Sequence, residues 1–273
     1  MNNPFLGEFF TNYRYGVDIG AGNWECVTST FRWGAACFAT HTGDLFVPNS
    51  DAVGMLPGLT DDEALFCLNY CLVTASMVEI AGHLEQFHGQ PRLKRLRKAV
   101  CCPNNGQEVF LPGWDYRASD APPETFCFMG PFFSLLRGEP HLPLCTLGFF
   151  NLGEVEAPRR VSRAALGLAP GRYWAWDVWR ETLAEWREEL AVPVPAHGSR
   201  LFTIVPKDRG PQVLDADMKI AAAEAAGEGL RVVFAYAGAV SLHYWDGARV
   251  RLYEGAPKRP GDAVFLPAGT ATI

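Results

Sequence analysis

No stretch of this chain is apolar over the roughly 20 residues that span a bilayer; the longest candidate, Ala64 to Val78, contains Asn69. Positive charge is scarce as well. Lysine and arginine total 24 against 30 aspartates and glutamates, and the formal net charge of -6 gives no general pull toward nucleic acid or membrane surfaces. The eight cysteines include no C-x-x-C pair. Cys67 and Cys71 share a face at i,i+4, but no His or Cys cluster completes a metal site, so no metal and no cofactor is expected. With mostly apolar neighbours such as Phe38, Leu68 and Leu72, the cysteines read as buried free thiols. Gly20-Ala21-Gly22 lacks a third glycine and any phosphate-loop lysine, so a tight turn explains it. The six histidines are scattered and no Ser or Cys sits in a nucleophile elbow, which leaves a catalytic triad unsupported. Internal repeats are lacking too. Met1 to Leu6 shows no basic segment followed by an apolar run, so no signal peptide is read and a cytoplasmic location is the expectation.

What the chain does have is ample core material: 273 residues, 48% hydrophobic and 12% aromatic, enough for one large domain or two ordinary ones. The first hundred residues alternate short strands and helices. Tyr13 to Ile19 reads as a strand, Thr28 to Ala39 as a helix burying Phe31, Ala35 and Phe38. Leu45 to Val47 and Val53 to Met55 read as strands around a loop holding Pro48, Asn49, Ser50 and Asp51. Thr60 with Glu63 forms a capping box, Asp61 and Asp62 suit the positive end of the helix dipole, and Ala64, Leu65, Leu68, Cys71, Leu72 and Ala75 make one stripe. Met77 to Ile80 is a short strand and Pro91 to Val100 a helix. That order predicts parallel βα units.

Beyond Cys101-Cys102-Pro103-Asn104-Asn105-Gly106 the pattern changes to short alternating strands and turn residues: 142–150, 172–179, 200–205, 230–236, 240–245, 249–253 and 263–266. Asp246-Gly247 predicts a type I′ hairpin. Ala221 to Ala226 has helical composition, and its state stays open. The expected fold is therefore α/β followed by all-β, with residues 1–105 as one domain and 106–273 as an antiparallel β-sandwich.

Several segments could carry chemistry. The basic run Arg92, Lys94, Arg95, Arg97, Lys98 reads as the solvated outer face of a helix whose apolar stripe is Leu93, Leu96 and Val100, in preference to a phosphate surface. Trp174, Trp176, Trp179 and Trp186 read as inter-sheet core in preference to a sugar platform. Asp18 ends an apolar strand beside glycine-rich backbone, where catalytic groups of parallel α/β folds project. Flanked by Val17 and Ile19 and near Trp24, its carboxyl is a candidate general acid with a raised pKa; a turn-forming or helix-capping aspartate is the simpler reading of the fragment by itself.

Taken in order, the segments resemble the late part of the catalytic barrel and the C-terminal sandwich of the α-galactosidase (melibiase-like) family. The barrel part of the likeness runs through Tyr15-Gly16-Val17-Asp18-Ile19-Gly20, Trp24, Arg32, Asn49-Ser50-Asp51, Leu59-Thr60-Asp61-Asp62-Glu63-Ala64 and Ser76-Met77-Val78-Glu79-Ile80. The sandwich part runs through Leu144 to Asn151, Leu166 to Gly171, Tyr173 to Trp179 and His197 to Phe202. The resemblance implies a retaining glycosidase, with two carboxyls flanking an α-glycosidic bond and Asp18 as the acid/base. It also implies a carbohydrate substrate of α-galactoside type, with Trp24 and Asp51 as substrate-binding groups.

Three departures qualify it. The family's nucleophile lies on an earlier strand in a Lys-x-Asp motif, and no such motif precedes Asp18. Ala81-Gly82 replaces a Ser-Asp, and Asn49-Ser50-Asp51 shortens an Asn-Asp-Pro-Asp loop. A full barrel takes about 250 residues, so the α/β part corresponds to the last three or so units of a partial (β/α) barrel. Its open edge implies an upstream barrel fragment or a second copy of the chain as partner. A truncated or degenerate remnant, non-catalytic and carbohydrate-binding or structural, is the alternative. A small independent open sheet of unrelated function is a third.

Overall fold

The computed structural model describes residues 12–14, 16, 18–19, 22–41, 47–52, 56–74, 77–80, 84–101, 109–115, 121–134 and 136–269. Its first part is a parallel sheet of three strands, β1 (Asn12–Arg14), β2 (Val47–Ala52) and β3 (Met77–Glu79), in the order β1-β2-β3. Helices α1 (Trp24–His41) and α2 (Asp61–Val73) connect them, and α3 (Pro91–Cys101) follows β3 through a 3₁₀ turn, Leu84–Phe87. Among the described residues this sheet is not a closed barrel. No described helix is long and apolar enough to cross a membrane.

Helix α2 forms where its local signals say it should. Thr60 Oγ1 accepts from Glu63 N at 3.3 Å while Glu63 Oε2 accepts from Thr60 N at 2.8 Å, which satisfies two otherwise orphaned donors. Every residue from Glu63 to Val73 is buried. One side faces the parallel sheet, with Phe66, Cys67 and Tyr70 near Ile19 and Ser50, and Cys71 Sγ donating to Met77 O. The other lies on an antiparallel sheet of six strands. These are β4 (Val109–Phe110), β5 (Thr125–Met129), β6 (Cys145–Asn151), β8 (Tyr173–Asp177), β9 (Thr182–Trp186) and β11 (Gly198–Pro206), ordered β4-β5-β6-β11-β8-β9. A Cβ on Gly148 of β6 would come within 2.8 Å of Val73 Cγ1, so glycine lets the end of α2 approach the sheet.

The far face of the six-stranded sheet is covered by β7 (Ala157–Ser162) paired with β10 (Glu189–Val194), over a second core that includes Phe149, Tyr173, Trp186 and Phe202. Two more sheets complete the chain. One orders β12 (Gln212–Ala216), β15 (Val240–Trp245) and β16 (Val250–Gly255); the other orders β13 (Ile220–Ala226), β14 (Gly229–Phe234) and β17 (Ala263–Leu266). Their apolar faces join the main core, which runs without a break from Ile19 and Phe31 through Phe150 and Trp176 to Leu242 and Leu266.

Four expectations change. Pro48, Asn49, Ser50 and Asp51 lie within strand β2, not in a loop, because pairing with both neighbours overrides their turn preference. The strand read from Tyr13 to Ile19 is described only as Asn12–Arg14, with Asp18 and Ile19 outside it; Ala221 to Ala226, whose composition leaves its state open, is strand. Asp246-Gly247 does close the β15–β16 hairpin, but only Gly247 has positive φ, at 103°, so the turn is not type I′; the Asp246 carboxylate instead accepts from Ala248 N and Arg249 N, both at 2.8 Å. The partner of the six-stranded sheet on its inner face is a helix as well as strands, so the second half is more than a two-sheet sandwich. The 105/106 boundary, Val53 to Met55 and Ala81-Gly82 fall outside the described residues.

Two of the four tryptophans expected in the core, Trp176 and Trp186, are buried there, while Trp174 and Trp179 are only half-buried against it. Trp176 is buried against His243, with ring centroids 4.9 Å apart, and Trp186 is buried beside Tyr173 at 5.5 Å. Cys67, Cys71, Cys127 and Cys145 are buried and free, as expected, while Cys26 is free but only half-buried; burial pushes the thiols of Cys67 and Cys71 up to about 12. Cys67 and Cys71 therefore stay protonated and unreactive.

Asn69, fully buried in α2, donates to Ser199 Oγ at 2.9 Å and accepts from Trp179 Nε1 at 2.6 Å. Asn69→Leu keeps the volume but strands both partners, and should lower stability by about 2–3 kcal/mol in urea denaturation with an unchanged m-value. Acid should destabilise the fold as well. Burial raises the carboxyl pKa values of Glu63, Asp215 and Asp246, but hydrogen bonds and cations (Thr60 and His197; Lys98 and His243; Arg251) outweigh it and hold each below its ordinary value. Each therefore contributes stability that is present above the unfolded carboxyl pKa, about 4, and lost as pH falls through the lower folded value. The urea midpoint should drop between pH 5 and pH 3.

Candidate functional site

The C-terminal ends of three parallel strands share one sheet edge, and β2 and β3 each bring a carboxylate to it. Asp51 is the penultimate residue of β2 and Glu79 ends β3, whereas β1 ends at Arg14 and Asp18 follows four residues later, outside the strand it was expected to end. Asp18 is exposed. The apolar enclosure expected from its neighbours is therefore not there.

Asp51 is buried, and its Oδ2 accepts from the backbone N–H of Ile19 at 2.6 Å. Its own N–H donates to Asn49 Oδ1 at 2.8 Å, and Asn49 Nδ2 donates to Glu79 Oε2 at 2.9 Å. A polar chain thus runs from β3 through β2 to the backbone amide beside Asp18. The β2–β3 register shifts between Asn49 and Ala52, and within that irregularity Asp51 has φ of 69°. A left-handed aspartate inside a strand is strained, at about 1–3 kcal/mol, and a bulge of this kind re-aims a side chain. Here it points the carboxylate at Ile19 N–H, so Asp51 holds the segment that carries Asp18.

Trp24, expected to contact substrate, opens α1 with a half-buried indole. It stacks on His197 at 4.5 Å between centroids and meets Phe66 edge-on at 5.1 Å. His197, in the β10–β11 turn, has Nδ1 3.0 Å from Glu63 Oε1 and Nε2 3.1 Å from Glu154 Oε1. Trp24 therefore joins α1 to α2 and to the β-sheet part, and one ring face is taken. Glu79 and Asn49 were missed as site members from sequence. The available signal was the recurrence of a carboxylate at the end of both β2 and β3. Among the described residues no group of three or more His, Cys, Asp and Glu could hold a metal ion.

Three solved structures illustrate what this arrangement is similar to. A GH27 β-L-arabinopyranosidase from Geobacillus stearothermophilus, in complex with arabinose, matches with a TM-score of 0.57 at 17% identity, over 74% of this chain and 46% of that one. α-Galactosidase I from Mortierella vinacea matches at 0.53 and 12% identity, over 74% and 55%. An isomalto-dextranase from Arthrobacter globiformis T6, complexed with panose, matches at 0.53 and 13% identity, over 94% and 54%. The chain spans about half the length of these structures. No protein-family profile and no curated protein matches it. At these identities the shared property is the fold, and the likeness to α-galactosidase-type chains read from the order of segments holds at that level.

Asp51→Ala removes the acceptor for a buried amide and puts a poorly tolerated residue at positive φ; a loss of about 2–4 kcal/mol is expected. Asp51→Asn keeps an acceptor and tolerates the backbone, and should lose no more than about 1–2 kcal/mol. Urea denaturation of both variants checks the ranking.

Proposed function

With the fold of these glycoside hydrolases as premise, we propose that the chain carries the acid/base side of a retaining α-glycosidase site acting on α-galactoside-like sugars, with Asp18 as the general acid/base. The observation that supports this most is the Ile19 N–H to Asp51 bond, because it fixes an exposed carboxylate at the C-terminal edge of a parallel sheet. Asp51 acts through that backbone, and Trp24 offers only the part of its ring left free by His197.

In the first half-reaction a nucleophilic carboxylate attacks the anomeric carbon, the glycosidic C–O bond breaks, and the Asp18 proton goes to the leaving oxygen. In the second, water attacks the same carbon, its proton goes to Asp18, and the glycosyl ester bond breaks. The nucleophile comes from further βα units, on the same polypeptide or on a partner chain.

A second reading, a non-catalytic carbohydrate-binding module, is favoured by one specific observation. Asp51 and Glu79 are already hydrogen-bonded to Ile19 and Asn49, so neither stands free as a nucleophile.

Release of 4-nitrophenol from 4-nitrophenyl α-D-galactopyranoside separates the two. It should be assayed with the chain and with the longest natural polypeptide that contains it. Turnover that falls at least 100-fold in Asp18→Asn, with galactose affinity retained, is the expected result. Galactose binding without turnover in either protein sinks the catalytic reading, and loss of both sinks the sugar assignment altogether.

A further inference from the structure

A cavity of about 430 Å³ lies between α3 and the β-sheet part, and none of its lining residues belongs to the Asp18 cluster. One wall is a face of α3, where Pro91, Lys94, Arg95 and Lys98 recur at i, i+3, i+4 and i+7. No acidic residue occupies the first turn of α3, so the positive end of its dipole is uncompensated there. Lys98 is spoken for: it pairs with the fully buried Asp215 and lies over the Trp179 ring at 5.4 Å. Lys94 and Arg95 have no ion pair among the described residues, so two cations border the space without a carboxylate of their own.

The floor is His243, whose side chain is only 10% exposed. Its Nδ1 is 3.7 Å from Asp215 Oδ2 and its Nε2 is 3.8 Å from Glu181 Oε2, both beyond hydrogen-bond distance. His243 is thus a nine-tenths buried imidazole that lines the cavity within ion-pair range of Asp215 and Glu181. Facing the cationic wall are acceptors, Glu181 and Asp217, together with the Ser241 hydroxyl. The apolar part of the lining is Val178 and Trp179.

Cations and a helix N-terminus on one side, carboxylates and a hydroxyl on the other, match a ligand with an anionic group at one end and hydroxyl donors along its body. The volume is that of a small-molecule pocket. We propose that this cavity binds a sugar bearing a carboxylate or a phosphate, with the anion at Lys94, Arg95 and the start of α3, and ring hydroxyls at Glu181 and His243. The site is independent of the glycosidase reading.

Isothermal titration of the chain tests it, with D-glucuronate, glucose 6-phosphate, glucose and inorganic phosphate at matched ionic strength. At least one of the two sugar anions should bind ten times or more tightly than glucose and than inorganic phosphate, and the stronger of the two identifies the anion. Lys94→Gln/Arg95→Gln, at surface positions that leave the fold intact, should weaken that binding tenfold or more, while Asp18→Asn leaves it unchanged. Raising NaCl from 20 to 500 mM should weaken it as well. Equal affinity for glucose, equal affinity for inorganic phosphate, or indifference to the Lys94/Arg95 substitutions each overturns the proposal, as does no binding of either sugar anion at 10 mM.

Discussion

Helix α2 is buried on every side, and the rest of the molecule is arranged around that fact. A helix with apolar residues all round cannot face water and must be enclosed by two layers. The parallel sheet supplies one and the β5-β6-β11 surface the other. Five rings lock the enclosure: Phe31 of α1, Phe66 and Tyr70 of α2, Phe126 of β5 and Phe150 of β6. Their centroids lie 4.7 to 5.9 Å apart, in tilted and edge-on arrangements that favour aromatic pairs. Asn69 adds direction to this otherwise non-directional packing, since only one placement of α2 satisfies its amide. The α/β part and the first β-sheets therefore share one core, and neither can be removed without exposing the other's apolar face.

That enclosure also bears on the polar cluster at the end of the small, three-stranded sheet. β2 is pressed between its neighbours and α2, which leaves its backbone little freedom. The strain at Asp51 is tolerated because the surroundings over-determine it, and its return is a carboxylate aimed at one amide. Rigidity passes from α2 to β2, from Asp51 to Ile19, and so to Asp18, which stays open to solvent. On the proposed reading, an exposed acid on a fixed backbone would meet a substrate with little reorganisation.

Local signals in the sequence were legible and non-local ones were not. Thr60 and Glu63 form a capping box three residues apart, so α2 was readable from its own letters. β2 was not: Pro48, Asn49 and Ser50 are turn formers by composition, and only pairing with β1 and β3 makes them strand. The alanines of β13 carry helix propensity, yet the pairing with β14 decides. On α3 the stripe was set by Leu93, Leu96 and Val100, but Val100 is 43% exposed while Leu96 and Ala99 are buried. That rotation turns Arg92 and Lys98 inward. Arg92 donates to Asp61 and to the carbonyls of Leu56 and Leu59, and Lys98 reaches Asp215, so part of a supposed solvent face is a joint. The pattern that singles out Asp18 as a candidate is local, whereas the bond from Ile19 N–H to Asp51, 32 positions away, is not.

The strand order carries one more consequence for the glycosidase reading. β1, β2 and β3 are adjacent in chain order and parallel, and among the described residues β1 and β3 have no strand on their outer edges. In a (β/α) arrangement earlier units add beside β1, and closure brings the first unit to β3. Asp18 stands at the β1 edge, so a nucleophile from a preceding strand would arrive on its side of the sheet. A retaining pair needs carboxyls about 5–5.5 Å apart, and the hydrogen-bonded Asp51 and Glu79 stand on the other side. On that reading a second carboxylate would enter beside β1, on the side of the sheet nearest Asp18.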